Sequence, residues 1–280
     1  MKAINKINIL QKIIKDHVLN KNTIGFIPTM GALHKGHLSL IQKAKRENDI
    51  VVVSIFVNPK QFNKQEDLDR YPHTLEQDKG LIQDHADYVF CPDVDDMYPT
   101  GFQSTIHIGD LTNILEGEHR PGHFDGMTTV VLKLLHLCQP TRIYMGLKDY
   151  QQYLIIQQMV KDLDIPSEVV GVPTVREDSH LALSSRNQFL SSKDKKPAAQ
   201  IFAALQKAET LILSGERDAR TIERTIKTEL ERISNTIDYI AVRSLSLGAI
   251  VTIDQDVVIL VALYLGDVRL IDNIIVILNK

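Results

Sequence analysis

The chain has 280 residues, of which 44% are hydrophobic and 24% are charged, and its formal net charge is −3. This composition is ordinary for a globular protein, long enough for one large domain or two modest ones, and it excludes a wholly disordered chain. The charge balance lacks the basic surplus of nucleic-acid-binding domains, so we expect no nucleic-acid partner.

Strand and helix patterns alternate over residues 1–173. Apolar residues at helical spacing predict a helix over residues 4–18, and a short apolar strand over 23–27 is expected to stop at Pro28. Further helices are predicted over 36–46, 75–85, 126–137 and 149–163, and further strands over 50–57, 87–90, 142–145 and 169–172. Repeated strand–helix units of this kind predict an α/β fold with a Rossmann-like, doubly wound parallel sheet.

The pattern changes near residue 176. Helices are predicted over residues 191–214, capped by Ser191 and ended by Gly215, and over 218–233. Strands are predicted over 238–242, 257–265 and 269–276. We therefore expect two domains, a Rossmann-like one over residues 1–175 and a smaller α+β one over 176–280.

Several other classes of protein are disfavoured. The N-terminal segment has the pattern of an amphipathic helix and not of a signal peptide. No apolar stretch reaches ~18 uncharged residues, so no membrane span is expected. The two cysteines, Cys91 and Cys138, form no C-x-x-C pair and are too few for a zinc site. We expect a cytoplasmic protein with reduced thiols.

The most informative segment is IPTMGALHKGH, residues 27–37. It follows a predicted strand and opens a predicted helix, where an open α/β sheet binds ligands and a helix start favours phosphate. Gly36 permits close backbone approach, and His34 and His37 share a helix face, from which both can donate to phosphate oxygens. The segment matches neither the P-loop nor the dinucleotide-binding pattern, whereas H-x-G-H is typical of adenylyl-transferring enzymes.

Polar side chains also follow the later strands. Asn58 and Gln61 come just past the strand at 50–57, where their amides suit a small hydroxy acid, although both also fit a simple turn. Asp78 lies on a helix, where a solvated carboxylate is common and a Mg²⁺ ligand is conceivable beside a triphosphate.

Two further clusters carry candidates for nucleotide binding. In GLKDYQQ, residues 146–152, Lys148 can contact a phosphate, Asp149 can cap a helix or bind a ribose, and Gln152 faces the same rim. The run of Ser184, Ser185 and Arg186 at the domain junction is a good phosphate clamp, and it also fits a polar linker.

Together these segments resemble the pantothenate synthetase family over the entire chain. The resemblance rests on the order and spacing of IPTMGALHKGH, SIFVNPKQF, YPHTLEQD, EGEHRPGHFDGM, GLKDYQQ and VREDSHLALSSRN. It implies an ATP-dependent ligase that activates pantoate as an acyl-adenylate and transfers it to β-alanine. It also implies a homodimer formed through the N-terminal domain and a C-terminal domain that acts as a lid.

The resemblance implies roles for individual residues. It gives His34, His37, Lys148, Ser184, Ser185 and Arg186 catalytic roles at the ATP phosphates. The implied ATP site adds Met30, Gly36, Asp149, Val175 and Leu183. Gln61, Gln152 and Asn58 are implied to hold pantoate, and Asp78 to bind Mg²⁺. The sequence departs from the common family pattern at Lys60, His73, Gln77, Leu147 and His180.

Three other functions stay open from the residues alone. A nucleotidyltransferase that leaves AMP on its product shares H-x-G-H but does not explain the two glutamines. A nucleotide-sensing or assembly protein without turnover fits a decayed site. A tRNA-charging enzyme is disfavoured by the missing basic surplus. Free AMP as a product distinguishes the ligase from a nucleotidyltransferase. ATP binding without turnover identifies a nucleotide-sensing or assembly protein.

Overall fold

The computed structural model describes residues 1–278, which form two compact units. The first unit comprises Met1–Leu147 and Gln151–Pro173, and the second comprises Lys148–Tyr150 and the chain from Thr174 onward. Along the described chain no helix is long and apolar enough to cross a lipid bilayer.

The strands of the first unit are β1 (Lys2–Ile4), β2 (Ile24–Thr29), β3 (Ile50–Ile55), β4 (Tyr88–Phe90), β5 (Arg142–Gly146) and β6 (Glu168–Val172). The helices up to residue 162 are α1 (Ile7–Leu19), α2 (Lys35–Glu47), α3 (Gln65–Asp69), α4 (Leu75–Ile82), α5 (Val94–Met97), α6 (Glu116–His119), α7 (His123–Cys138) and α8 (Tyr150–Asp162). Short 3₁₀ turns cover Pro59–Gln61, Gly109–Thr112 and Leu147–Asp149.

The six strands form one parallel sheet in the order β1-β4-β3-β2-β5-β6. The chain leaves β2 toward β3 on one side and later returns to β5 on the other, so the strand order reverses between β2 and β5. Ligands of open α/β sheets bind at such a reversal, outside the carboxyl ends of the strands. The predicted doubly wound sheet is confirmed.

Side chains alternate between the two faces of this sheet. In β2, Phe26 packs into a core with residues of α1 and α7, whereas Ile27 packs into a second core with Ile41 of α2 and Ile82 of α4. The β-branched residues of β3 divide in the same way, which is why this run is apolar throughout. Helices therefore cover both faces and leave the carboxyl ends of the strands for the site.

The second unit contains α9 (Lys195–Leu213), α10 (Ala219–Leu230) and an antiparallel sheet of β7 (Thr236–Ser244), β8 (Val257–Leu265) and β9 (Val268–Val276). A 3₁₀ turn covers Ser185–Phe189. Both helices bury an apolar stripe against the alternating inward residues of β8. Gly215, with φ +114°, follows the last turn of α9, as predicted.

Several predicted boundaries were wrong. The helix predicted from residue 4 begins at Ile7, because Ile4 belongs to edge strand β1, which pairs with β4. Pro28 lies inside β2, where pairing with β5 has already ended at Phe26, so its missing N–H costs nothing on that side. Helix α9 begins at Lys195, since the Ser191 hydroxyl binds the Asp194 carboxylate at 2.6 Å and not the helix backbone.

Candidate active site

The H-x-G-H segment joins the end of β2 to the start of α2. His34 is the N-cap residue of α2, and its Nδ1 accepts a hydrogen bond from the Gly36 amide at 3.1 Å. Nδ1 of His37 accepts from the amide of His34 at 3.3 Å. The ring centroids lie 4.2 Å apart. The two imidazoles therefore satisfy backbone donors that the first turn of a helix otherwise leaves unpaired.

These backbone contacts fix the tautomer of both rings. A neutral imidazole carries one N–H, and an Nδ1 that accepts a hydrogen bond leaves the proton on Nε2. His34 and His37 are thus both set as Nε2–H donors at the positive end of the α2 dipole. The arrangement suits the oxygen atoms of an anionic ligand such as a phosphate.

Asp78 of α4 is buried, with 3% of its surface exposed, and its carboxylate faces the loop that precedes His34. Its oxygens accept hydrogen bonds from the amides of Ala32 at 2.9 Å and Leu33 at 2.7 Å, and from the Thr74 hydroxyl at 3.1 Å. Over residues 1–278, no cluster of three His, Cys, Asp or Glu side chains is placed to hold a metal ion. Backbone and hydroxyl donors thus hold this carboxylate on the loop, and its role as a Mg²⁺ ligand stays a prediction.

Asn58 and Gln61 lie past the end of β3, around the 3₁₀ turn. The Asn58 amide donates to Gln61 Oε1 at 2.9 Å and to the Gly126 carbonyl at 3.0 Å. Its Oδ1 accepts from the Tyr98 hydroxyl at 2.8 Å and from the Lys60 amide at 3.3 Å. Asn58 is 1% exposed and its hydrogen-bonding capacity is filled by protein, so it positions its neighbours.

Gln61 is oriented by this network. Because its Oε1 accepts from Asn58, its Nε2 points the other way, toward the sulfur of Met30 at 2.9 Å. Gln61 is therefore presented as an N–H donor beside Met30, a residue of the H-x-G-H loop. A hydroxyl or carboxylate oxygen is the ligand group that such a donor binds.

The two glutamines at the start of α8 differ in environment. Gln151 is buried, accepts from the Glu116 amide at 3.1 Å and donates to the carbonyls of Leu111 and Ile114, both at 2.8 Å. Gln152 is half-buried, and its amide has no hydrogen-bond partner among residues 1–278. Sequence reasoning missed the bracing role of Gln151, whereas Gln152 remains available for a ligand.

In the second unit, Lys148 and Asp149 follow the end of β5 in the chain. The Lys148 ammonium lies 3.8 Å from the Asp149 carboxylate, and its carbonyl accepts from the Asn273 side chain at 2.8 Å. Lys148 also lines a water-sized pocket with Ser184, Asn187 and Asp272. Oδ1 of Asn187 is buried without a partner among the described residues, which leaves this polar pocket one unused acceptor.

The Ser184–Ser185–Arg186 run begins the second unit's 3₁₀ turn. Ser184 Oγ caps the turn by accepting from the Arg186 amide at 3.2 Å, and the Leu183 amide donates to the Val175 carbonyl at 3.0 Å. The Arg186 guanidinium is half-buried and forms no ion pair with any described carboxylate. A cation without a counter-ion suits an incoming phosphate.

A buried ion pair joins Arg176 to Asp272 in the second unit, and Asp272 lines the same pocket as Ser184. Arg176 makes two hydrogen bonds to Asp272 of β9, at 2.7 and 2.9 Å, and its guanidinium lies 3.5 Å from the ring centroid of Phe202. His180 lies in the turn between Arg176 and Ala182, which pair as an antiparallel bridge; its φ of +70° favours glycine, and its ring stacks on Phe202. Nothing in the sequence pattern pointed to Arg176 or Asp272.

Neither cysteine is a nucleophile in this arrangement. Burial raises the pKa of Cys91 to about 11 and also raises that of Cys138 well above its usual range. Both therefore stay protonated near neutral pH, where a thiol is unreactive.

The predicted residues fall into the two units. Met30, His34, Gly36, His37, Asn58, Gln61, Asp78 and Gln152 belong to the first, and Lys148, Asp149, Val175, Leu183, Ser184, Ser185 and Arg186 belong to the second. In the first unit, direct contacts join Met30 to Gln61, Asn58 to Gln61, and His34 to His37. Within residues 1–278, Gln152 makes no hydrogen bond to this group.

Known proteins match along nearly the whole chain. Pantothenate synthetase of Aquifex aeolicus is 47% identical over 271 residues, 96% of either protein, and that of Hydrogenovibrio crunogenus is 49% identical over 259 residues, 91% of this chain and 92% of the relative. The crystal structure of pantothenate synthetase from Thermus thermophilus superposes with a TM-score of 0.92 at 42% identity, covering 98% of this chain and 99% of that one.

A further crystal structure, the pantoate-beta-alanine ligase of Francisella tularensis complexed with beta-gamma ATP and beta-alanine, has a TM-score of 0.82 at 40% identity and covers 98% of this chain and 97% of that one. The family model described as pantoate-beta-alanine ligase matches residues 2–275. With the fold, the H-x-G-H geometry and these matches in agreement, the chain belongs to the pantoate-beta-alanine ligase family.

Proposed function

We propose that the protein condenses pantoate with β-alanine at the expense of ATP, giving pantothenate, AMP and pyrophosphate, as a step of pantothenate biosynthesis. The observation that carries the proposal is the pair of imidazoles at the start of α2, both tied through Nδ1 to backbone amides. Two Nε2–H donors at a helix start can stabilise charge that develops on a phosphate.

The reaction has two steps. A carboxylate oxygen of pantoate attacks the α-phosphorus of ATP, and pyrophosphate leaves with the electron pair of the broken P–O bond. The amine of β-alanine then attacks the acyl carbon of the pantoyl adenylate, AMP leaves and the amine loses a proton. No group of the enzyme is acylated, which agrees with two unreactive thiols, so positioning and charge stabilisation supply the rate.

Residues of the first unit bind pantoate and the α-phosphate side of ATP in this proposal. Gln61, held as an N–H donor by Asn58, and Gln152, whose amide is unused within the described chain, bind the oxygens of pantoate. His34 and His37 donate to phosphate oxygens, with Gly36 allowing close approach of the ligand and Met30 bordering it.

Residues of the second unit bind the rest of ATP in this proposal. Lys148, Ser184, Ser185 and Arg186 bind phosphate oxygens, and the uncompensated guanidinium of Arg186 supports that role. The exposed Asp149 binds the ribose, and Val175 and Leu183 border the nucleotide. We also propose that the second unit acts as a lid which protects the adenylate from water.

Mg²⁺ enters the proposal as part of the nucleotide substrate. Mg²⁺ in such enzymes keeps several waters and binds largely through substrate phosphates, so a dedicated protein cage is not required. Asp78 is not assigned to it, because its carboxylate is committed to the loop. We further propose a cytoplasmic homodimer that associates through the first unit; light scattering on the purified protein tests the dimer.

The decisive experiment follows AMP and pyrophosphate release from Mg-ATP, with pantoate alone and then with β-alanine added. AMP release that requires both substrates supports the ligase. AMP retained on the product contradicts it in favour of a nucleotidyltransferase. ATP binding with no release under either condition also contradicts it.

An isotope experiment tests the adenylate. With pantoate labelled by ¹⁸O in its carboxylate, one labelled oxygen must appear in AMP, because the adenylate carries that oxygen to phosphorus and amine attack leaves it there. Label found in pyrophosphate or in neither product excludes a pantoyl adenylate. The same assay with unlabelled pantoate in H₂¹⁸O controls for hydrolysis of the intermediate.

A further inference from the structure

The loop between β2 and α2 has a strained backbone conformation. Gly31 and Ala32 both lie in the left-handed region, with φ +83° and +49°. Glycine adopts this conformation freely, but alanine does so at a cost that its surroundings must offset. The loop ends at His34, so its shape decides where the two imidazoles begin.

The carboxylate of Asp78 holds the loop in this conformation through hydrogen bonds to its amides. Its two oxygens take separate amides, Oδ2 that of Ala32 and Oδ1 that of Leu33, so consecutive residues of the loop are fixed by one side chain. A Cβ at Gly31 would stand 3.1 Å from Oδ2, which shows how closely the carboxylate packs against the strained turn.

The same contacts are unsuited to a metal ligand. The amides of Ala32 and Leu33 direct the positive ends of their N–H dipoles at the oxygens, and a cation there would face those dipoles. The neighbouring acidic residue Glu76 is exposed and paired with Lys79 at 2.7 Å. Position 77 is a glutamine, so no second carboxylate adjoins Asp78.

We propose that Asp78 is a positioning residue that acts through the H-x-G-H loop, and that the nucleotide-free protein has no Mg²⁺ site at this carboxylate. The negative charge holds two consecutive amides so that His34 enters α2 with its Nδ1 on the Gly36 amide. This inference rests on the proposed function for its catalytic consequence, but its structural and metal-binding consequences are independent of turnover.

The test compares three variants of the full-length protein with the wild type. Asp78→Asn removes the charge and turns one acceptor into a donor that opposes a backbone N–H. Thr74→Val removes only the hydroxyl contact with Asp78. Asp84→Asn makes the same chemical change at an exposed position after α4 and is the matched control.

The first readout is hydrogen exchange at the amides of Ala32 and Leu33, measured by NMR without nucleotide. We expect Asp78→Asn to accelerate both, with Thr74→Val intermediate and Asp84→Asn unchanged. The second readout is Mn²⁺ binding to the nucleotide-free protein, followed by electron paramagnetic resonance. We expect no Asp78-dependent site in the wild type.

The third readout separates positioning from metal binding in the assay for AMP release. We expect Asp78→Asn to lower kcat on the order of 100-fold, as misplacement of a catalytic group does, at an unchanged Mg²⁺ concentration for half-maximal rate.

Stoichiometric Mn²⁺ binding that Asp78→Asn abolishes would overturn the proposal. The proposal would also be overturned if Asp78→Asn showed wild-type hydrogen exchange at Ala32 and Leu33 and regained the wild-type rate at a higher Mg²⁺ concentration. If Asp78→Asn does not fold, Mn²⁺ binding to the wild type and hydrogen exchange in Thr74→Val still test the proposal. A wild-type protein that releases no AMP would count against the proposed function alone.

Discussion

The hydroxyl of Tyr98 donates a hydrogen bond to Oδ1 of Asn58 at 2.8 Å, across 40 positions of sequence. Burial raises the pKa of Tyr98 well above its usual range, so the hydroxyl stays protonated and remains a donor. With Oδ1 held, the Asn58 amide must aim its Nδ2 at Gln61, and Gln61 in turn presents its own N–H groups. Tyr98 thus orients, through Asn58, the amide of Gln61, which we propose binds pantoate.

Replacing Tyr98 by phenylalanine tests this relay. The loss of one hydrogen bond of about 1 kcal/mol lets the Asn58 and Gln61 amides reorient, so we expect the KM for pantoate to rise about 5- to 10-fold. The KM for ATP should change by less than about 2-fold, within the spread expected where no contact is lost. Steady-state kinetics with each substrate varied measure both.

Tyr264→Phe is the matched control, because the Tyr264 hydroxyl makes no hydrogen bond to the described residues and lies in the second unit. It should leave both KM values unchanged. An equal rise in the two KM values of Tyr98→Phe would argue for general loosening of the site and against an oriented Gln61.

Sequence reasoning located most of the candidate groups but could not show which protein groups some of them contact. The H-x-G-H segment carries its own evidence, because a strand, a tight loop and a helix start occur within a dozen residues. Asn58 and Asp78 are equally visible as polar residues, yet their partners come from distant parts of the chain: Tyr98 for the first, and Ala32 and Leu33 for the second. Only tertiary structure shows that Asn58 and Asp78 already accept hydrogen bonds from these protein groups.

The fold shows the same division. Long apolar runs such as β3 and the amphipathic helix α10 were predictable because burial dictates their pattern over many residues. Edge strand β1 was not, since three residues carry no period and their pairing with β4 is fixed some 85 residues later. The pair of Arg176 and Asp272 was invisible for the same reason.

Two substitutions of His34 distinguish its role as the N-cap of α2 from its proposed role as a donor to phosphate. Asparagine is a good N-cap residue, so His34→Asn keeps the start of α2 but removes the Nε2–H donor, and we expect a fall in kcat of about 10²–10³-fold at nearly unchanged stability. His34→Ala loses both functions and should unfold about 1 kcal/mol more easily as well. AMP release and urea unfolding measure the two effects.

Asp218→Ala serves as the control for capping alone. Asp218 caps α10 of the second unit by accepting from the Thr221 amide at 3.1 Å, and its loss should destabilise the protein without lowering kcat. A His34→Asn variant with wild-type kcat would remove His34 from the proposed chemistry.

The ion pair of Arg176 and Asp272 should matter for stability far more than a surface pair does. Asp272 is 4% exposed, so Arg176→Met leaves a buried carboxylate without its cation, at an expected loss of about 3–5 kcal/mol in the free energy of unfolding. Lys227→Met, which breaks the exposed pair with Glu231, should cost less than about 1 kcal/mol. Urea unfolding compares the two variants, and equal losses would contradict a buried pair.

Adding Asp272→Asn to Arg176→Met distinguishes charge from packing. If the stranded charge causes the loss, the double variant should be more stable than Arg176→Met, because the buried negative charge is gone. If lost contact with Phe202 causes it, the second substitution should bring no recovery.

Tyr144 gives the helix of the H-x-G-H motif a pH-dependent anchor. Its hydroxyl donates to Glu47 at 2.8 Å and accepts from Asn48 at 2.7 Å, at the end of α2. Burial, followed by the hydrogen bond to Glu47, raises the pKa of Tyr144 to about 12. In the unfolded chain a tyrosine ionises near pH ~10, so the contribution of this hydroxyl is complete below pH ~10 and is lost as the pH rises toward the folded-state value.

The difference in unfolding free energy between the wild type and Tyr144→Phe should therefore depend on pH. At pH 8 the wild type should be more stable by about 1–3 kcal/mol, the cost of leaving buried hydrogen-bonding groups unpaired. Between pH ~10 and the folded-state pKa the gap should narrow, because only the wild type has this hydroxyl to ionise on unfolding. Urea midpoints at a series of pH values measure the gap; a constant gap across that range would mean that the pKa of Tyr144 is not raised by folding.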